Sequence, residues 1–262
     1  RNIRNSKKKI NISQPLILID TFVLETSEVK DRYYPGLWEN LDPSEKKRTF
    51  FVPEFERNTI SKIRKTIDIL NLSEKKYLFK WEFLRIEDYF YAFNHYFRLR
   101  KIQVPPSIFR GIQFKELIQE ELFTGLNSGM AMKAILNYRF FRRLKKLDIK
   151  IETAINWFEN QGLDKGWNCG LHDFFPETKI KGYLGMIISQ HYLPMFPTII
   201  EAESKVIPDT LYVIGKGLEE SIKEFYPELS VQTAPAFRFQ GVYRDSIKKS
   251  VNSDHTVLVV LY

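Results

Sequence analysis

Apolar residues run almost unbroken from Pro15 to Val23, the texture of a strand buried on both faces of a sheet. After residue 150, shorter apolar runs separated by turn residues recur at 154–158, 179–184, 210–214, 237–240 and 256–262, and each predicts a strand. Helical spacing predicts helices over 53–70, where Ile60, Ile63, Ile67 and Leu70 fall three or four apart, and over 109–122, 129–147, 164–174 and 218–225. The aromatic stretch 74–100 fits one helix or two, broken around Arg85 to Asp88. Residues 30–58, with Tyr33-Tyr34-Pro35-Gly36 and Asp42-Pro43-Ser44 marking turns, read as an irregular segment. Strands alternating with helices imply an α/β fold with a Rossmann-like parallel sheet, carrying a large helical insertion at about 54–148.

The clearest unit spans residues 155–183. Its first apolar run stops at Glu159-Asn160-Gln161, a helix follows, Pro176 closes that helix and a second run begins at Lys179. In a parallel sheet the loop after a strand lies at the carboxyl edge, where ligands bind, so Glu159, Asn160 and Gln161 stand where chemistry is expected. An acid in that place is open to desolvation that lifts its pKa toward the range of a general base. Asp20 closes the first run on the same edge and can face the same crevice; the competing reading has Asp20 or Thr21 turning the chain or capping a helix. The loop 185–197 carries His191 and Tyr192 next to Pro194 and Pro197. It offers an imidazole that titrates near neutrality beside aromatic faces suited to a sugar or lipid, against the plainer reading of a structural histidine. Gly215-Lys216-Gly217 precedes a helix and can turn backbone amides toward an anion, or is simply a tight turn.

Composition restricts partners more than it selects them. The chain of 262 residues holds 40 Lys and Arg against 32 Asp and Glu, a net +8 that favours anionic partners, while charge runs such as Lys7-Lys8-Lys9 and Lys46-Lys47-Arg48 also suit solvated faces. Arg139, Arg142, Arg143, Lys145 and Lys146 end the helix 129–147, where cations complement the helix dipole and where an anionic membrane face would account for the rest. Cys169 is the single cysteine, which excludes an intrachain disulfide or a multi-cysteine metal site. No metal site is expected, since the chain has neither His-x-x-x-His nor Asp-x-Asp; a Gly-x-Ser-x-Gly hydrolase turn and nucleic-acid motifs are also missing. No apolar run approaches the roughly 20 residues that span a bilayer, and the basic start is not followed by a signal-type core. The first residue is arginine and the β-branched run 256–262 ends the sequence, so the expectation is a portion of a longer protein.

Residues 159–215 resemble a family of bacterial surface-carbohydrate (O-antigen or capsule type) glycosyltransferases of the two-Rossmann-domain GT-B architecture. The resemblance rests on Glu159-Asn160-Gln161 followed by Asp164-Lys165 and a helix, then Gly182-Tyr183, the loop Tyr192 to Pro197, and Pro208-Asp209 before a strand ending at Gly215. The chain departs from the family pattern at Gly162, Leu163 and Leu184. The resemblance implies that residues 15–255 form the acceptor-side, N-terminal half, preceded by a basic segment (1–14), with 256–262 opening a second domain that binds a nucleotide-sugar donor. A glycan or lipid-linked acceptor would sit on the first domain. Glu159 would be the base that takes the acceptor proton, with Asp20 second; His191, Lys165 and Lys216 would steady phosphate or carboxylate charge, and Asn160, Gln161, Tyr183 and Tyr192 would contact substrate. No cofactor is implied, the nucleotide sugar being a substrate, and no specific nucleic acid. The implied location is the cytoplasm, with peripheral contact at the inner face of the membrane, and these residues alone are not expected to turn over. The alternative is a non-catalytic module of the same fold that holds a glycan or anionic polymer.

Overall fold

The computed structural model describes residues 14–23, 31–55, 60–126, 129–189, 191–239 and 241. The expected strand at 256–262 and nearly all of the basic N-terminal segment lie outside them. In chain order come β1 (Leu16–Val23), α1 (Leu37–Asn40), α2 (Pro43–Arg48), β2 (Thr49–Phe55), α3 (Ile60–Leu72), α4 (Ile86–Phe93) and α5 (His95–Leu99). A small hairpin follows, β3 (Ile108–Phe109) and β4 (Ile112–Gln113), then α6 (Lys115–Leu126) and α7 (Gly129–Lys146). The second half holds β5 (Ile151–Trp157), α8 (Gly162–Phe174), β6 (Lys179–Leu184), α9 (Ile199–Glu203), β7 (Thr210–Val213), α10 (Lys216–Lys223) and β8 (Ser230–Thr233).

Six strands form one parallel sheet in the order β2-β1-β5-β6-β7-β8, an α/β fold of the Rossmann-like kind, with α3 to α7 inserted between β2 and β5. The chain leaves β1 toward β2 on one side and returns to β5 on the other. The strand order therefore reverses between β1 and β5, and a crevice is expected at their carboxyl ends. β1 is apolar throughout because both of its faces are covered: Leu16 and Leu18 pack with Phe140, Phe141, Leu144, Trp167 and Leu171 of α7 and α8, while Ile17 and Ile19 pack with Tyr34, Phe51, Tyr77 and Trp157. A third cluster, around Phe158, Phe196, Leu211, Val213 and Ile222, fills the space under β6, β7 and α10.

Helices α7 and α8 touch backbone to backbone. A Cβ on Gly166 would fall inside the Ala134 carbonyl, and one on Gly170 would lie 2.8 Å from the Phe141 ring and 3.0 Å from Tyr138 Cα. The glycines let the two helices close over the sheet, and α7 in turn anchors α4. Asp88, fully buried on α4, accepts from Arg139 Nε and Arg143 Nε of α7, both at 2.6 Å. Burial pushes the Asp88 carboxyl up, but hydrogen bonds from Arg143, the Arg85 amide and Arg139 outweigh it and hold the group below its ordinary value. The basic cluster that ends α7 is thus not one surface: Arg139 and Arg143 are buried against Asp88, while Lys145 and Lys146 are exposed.

The structure corrects other expectations. Pro53 belongs to β2, so the helix expected over 53–70 does not start there; among the described residues it is α3 (Ile60–Leu72). Phe51 exchanges hydrogen bonds with Lys76 and Leu78 on the outer edge of β2, so Pro53, two residues on, turns its missing N–H outward too, where an edge strand tolerates it. Residues 30–58 are not irregular, since α1, α2 and β2 fall within them; α2 is set by Asp42, whose carboxylate accepts from Ser44 N (2.7 Å) and Glu45 N (2.9 Å) ahead of Pro43 at the first helical position. The stretch 74–85 is extended and then a 3-10 turn, with helix only from Ile86. Residues 108–113 form a hairpin around Arg110 and Gly111, both at positive φ (50° and 81°), and the helix expected over 109–122 starts at Lys115. Residues 237–239 form a 3-10 turn; the sixth strand is β8, a polar edge strand whose Ser230, Gln232 and Thr233 are exposed.

Candidate functional site

At the carboxyl ends of β1 and β5 three carboxyl groups are joined through backbone and indole N–H groups. Asp20 Oδ1 accepts from Trp157 N at 2.7 Å and from the Tyr34 hydroxyl at 3.4 Å. Trp157 Nε1 donates to Glu159 Oε1 at 2.6 Å, and Gln161 Nε2 donates to Glu159 Oε2 at 2.8 Å. Asp164, on the first turn of α8, accepts from Glu159 N (2.9 Å) and Gln161 N (3.0 Å) through Oδ2. This arrangement follows from the local sequence: Asn160 takes the left-handed conformation (φ 56°), reversing the chain directly after β5, and an acid three residues past Gln161 ties down the amides that start the helix.

The electrostatics of the three differ. Asp20 and Asp164 are buried, Glu159 only half so. Burial pushes Asp20 well above the ordinary carboxylate value, and the Asp164 charge adds to this, against the lowering effect of the Trp157 amide, Lys80 and Tyr34. Burial also pushes Asp164 up to about 7, opposed by the two amides it accepts from and reinforced by Glu159. None of the three forms an ion pair among the described residues. The nearby acid that does is Glu54 at the end of β2, which pairs with Lys80 and with Lys133 (2.8 Å); Lys80 also reaches Asn137 Oδ1 at 2.7 Å.

Asp20, Glu159 and Gln161 are therefore brought together, as their positions at strand ends implied. Asp20 neither turns the chain nor caps a helix, since β1 continues to Val23. Asn160 and Lys165 point elsewhere. Asn160 Nδ2 donates to the Pro194 carbonyl (3.1 Å) and the Glu201 carboxylate (3.2 Å), and Lys165 Nζ pairs with Glu201 Oε1 at 2.6 Å. Both thereby moor the loop 192–198 and α9 to the start of α8. His191 and Tyr192 are exposed on that loop, with no described bond to Asp20 or Glu159. Tyr183 is buried; its hydroxyl donates to the Pro235 carbonyl (2.9 Å) and accepts from Phe237 N (3.1 Å), and burial raises its pKa to about 12. It lines a cleft of about 250 Å³ with Tyr34, Ile155, Tyr212, Pro235 and Phe237. Tyr34 is common to this cleft and to the carboxyl cluster. Lys216 is exposed at the start of α10, beside a second cleft of about 500 Å³ lined by Ile187, Gly215, Gly217 and Phe239.

Four groups were not identified from the sequence: Asp164, Tyr34, Trp157 and Glu201. Asp164 alone had a local signal, its spacing from Gln161. Among the described residues, buried polar atoms without a protein partner include both amide atoms of Asn156, Asn160 Oδ1, Trp167 Nε1 and Asn168 Oδ1, all in β5, α8 or the turn between them. Among the described residues no group of three or more His, Cys, Asp or Glu is arranged to hold a metal ion, and no helix is long and apolar enough to cross a membrane.

No protein-family model matches the chain, and no curated protein sequence matches it. A solved structure described as "Crystal structure of O-ureido-L-serine synthase" aligns over 96% of this chain and 81% of that one at 13% identity with a TM-score of 0.24, a likeness too slight to bear on fold or chemistry.

Proposed function

We propose that the edge between β1 and β5 is the acceptor site of a glycosyltransferase of surface-polysaccharide assembly, which moves a sugar from a nucleotide-sugar donor to a glycan or lipid-linked acceptor. The observation that supports this reading is Glu159: a half-buried carboxylate at the strand-order reversal, oriented by Trp157 and Gln161 and paired with no cation among the described residues. Each Glu159 oxygen accepts one hydrogen bond and keeps a lone pair for an acceptor hydroxyl. In the proposed step that hydroxyl gives its proton to Glu159 as its oxygen bonds to the sugar's anomeric carbon and the nucleoside diphosphate departs. Asp164, pushed up to about 7, carries less than a full negative charge beside Glu159 below that pH.

The test is calorimetric titration of the full-length protein with uridine, guanosine, thymidine and cytidine diphosphate sugars and with acceptor glycans, followed by release of nucleoside diphosphate. Glu159→Gln is expected to lower turnover by about 10²–10⁴-fold with acceptor affinity nearly unchanged. Failure to bind any nucleotide sugar sinks the transferase reading. The non-catalytic alternative draws on the aromatic cleft of Tyr183, Tyr212 and Phe237: there a glycan binds without turnover, and Tyr212→Ala weakens it while Glu159→Gln does not.

A further inference from the structure

Helix α4 is built inside out. Its apolar stripe, Ile86, Tyr89, Phe90 and Phe93, is 75%, 42%, 65% and 62% exposed, and Phe97 continues it one turn further on α5 at 55%. Its inward face carries Asp88 and Ala92, both at 0%. The ion pairs of Asp88 with Arg139 and Arg143 fix this orientation: rotating the helix to bury the aromatics would strand two arginines in the interior. Exposed phenylalanines thus follow from how the helix is anchored. A stripe of this kind on an ordinary surface is costly unless something covers it.

The flanking charge indicates what covers it. From Tyr89 to Lys115 the chain contains no Asp or Glu and five cations, Arg98, Arg100, Lys101, Arg110 and Lys115. None of the five pairs with a carboxylate among the described residues. Arg98, Arg100 and Arg110 lie instead over the rings of Tyr91, Tyr96 and Phe109, at 4.2, 4.2 and 5.4 Å. The hairpin that follows ends in a two-residue turn flanked by exposed Phe109 and Ile112. Aromatic and aliphatic groups beside cations that no described carboxylate neutralises match the boundary between acyl chains and anionic headgroups, and Glu87, the exposed acid of α4, is taken up by Arg143.

We propose that the α4–α5 face is a peripheral docking surface for an anionic lipid bilayer, with Phe90, Phe93 and Phe97 entering the headgroup boundary and Arg98, Arg100 and Lys101 meeting the phosphates. The proposal stands apart from the transferase reading, since it uses none of its residues. It also moves the membrane contact from the end of α7, two of whose arginines are spent holding Asp88, to the opposite side of α4.

Vesicle flotation of the full chain tests it. Partitioning is expected onto equimolar phosphatidylcholine and phosphatidylglycerol vesicles, not onto phosphatidylcholine alone, and is expected to weaken with added salt. Phe90→Ser with Phe93→Ser, and separately Arg98→Glu with Arg100→Glu, should each weaken it about tenfold or more. Thermal melts accompany both pairs; if the phenylalanine pair melts early, the arginine pair, which touches no core residue, carries the test. Unchanged partitioning in the folded arginine variant overturns the proposal, as does failure of the parent chain to float. A dimer in sedimentation velocity that Phe90→Ser dissolves, without vesicle binding, assigns the face to a second copy and overturns it equally.

Discussion

Two regions of this molecule bury aspartates and treat them in opposite ways. In the helical insertion, Asp88 is gripped by Arg139 and Arg143 and held below the ordinary carboxylate value. At the sheet edge, Asp20 and Asp164 are also buried, yet they are met by backbone amides, a tyrosine and neighbouring carboxyl charge, and both are pushed up. Burial pushes all three acids up; the difference lies in the direct arginine ion pairs that Asp88 has and the edge acids lack. A fold that only needed to bury an acid would pair it, as it does Asp88. Leaving two acids unpaired beside a half-buried glutamate, where the strand order reverses, is the arrangement associated with acid–base work.

The largest expected effect comes from breaking the paired acid. Asp88→Asn leaves two buried arginines without their counter-charge and is expected to cost about 3–5 kcal/mol, read as a lower urea midpoint at an unchanged slope. Because the folded pKa of Asp88 is depressed, its stabilisation is present above the unfolded value of 3.8 and is lost as pH falls through the lower folded one. Asp164 carries the opposite sign. Its folded pKa is about 7 against 3.8 unfolded, so the folded state binds the extra proton between these values and stability declines as pH rises from about 4 to 7. Asp164→Asn cannot ionise and still accepts from the Glu159 and Gln161 amides. It should match the parent near pH 4 and exceed it at pH 8 by on the order of 2–4 kcal/mol. Equal melting curves at pH 8 would show that the edge acids are not destabilised and would remove half of the contrast.

The two regions meet where α7, carrying Arg139 and Arg143, crosses α8, carrying Asp164. Gly166→Ala puts a methyl into the Ala134 carbonyl and can be accommodated only by parting the helices. A loss of about 1–3 kcal/mol is expected. If the regions are independent, the pH dependence of this variant parallels the parent; if the contact sets the burial of Asp164, its decline above pH 4 becomes shallower.

What the sequence made legible follows the range of the interaction behind each feature. β6 lies at the expected residues and α8 starts two residues earlier than expected, because run lengths, glycine and Pro176 are local signals. β2 was hidden by Pro53, and that residue is admissible only because β2 is an edge strand, a property of the assembled sheet. The aromatic spacing in 74–85 imitates a helix, yet Tyr77 and Phe79 are placed by the strand-like bridge from Tyr77 to Phe51. At the site, the position of Glu159 could be read from the end of an apolar run. The tie between Asp20 and Trp157 spans 137 residues and leaves no local trace. Likewise the inward turn of Arg139 and Arg143 depends on Asp88, 51 and 55 residues away, so a chain-order reading sees only a basic helix end.

Glu159 decides to which side of the comparison the edge belongs. If it serves structure, as Asp88 does, replacing it should cost stability; if it faces a ligand, the fold should hardly register the change. Glu159→Gln keeps an oxygen to accept from Trp157 Nε1 and removes only a charge that is half exposed, while its new amide meets the amide of Gln161 and forces that exposed side chain to turn into solvent. The expected change in stability is therefore within about 0.5 kcal/mol, the range of ordinary surface substitutions. A loss approaching that of Asp88→Asn would make Glu159 a structural acid and would leave the edge without its accessible base. An unchanged melt together with lost turnover at nearly unchanged acceptor affinity would place the function of the edge in the one carboxylate that the fold does not need.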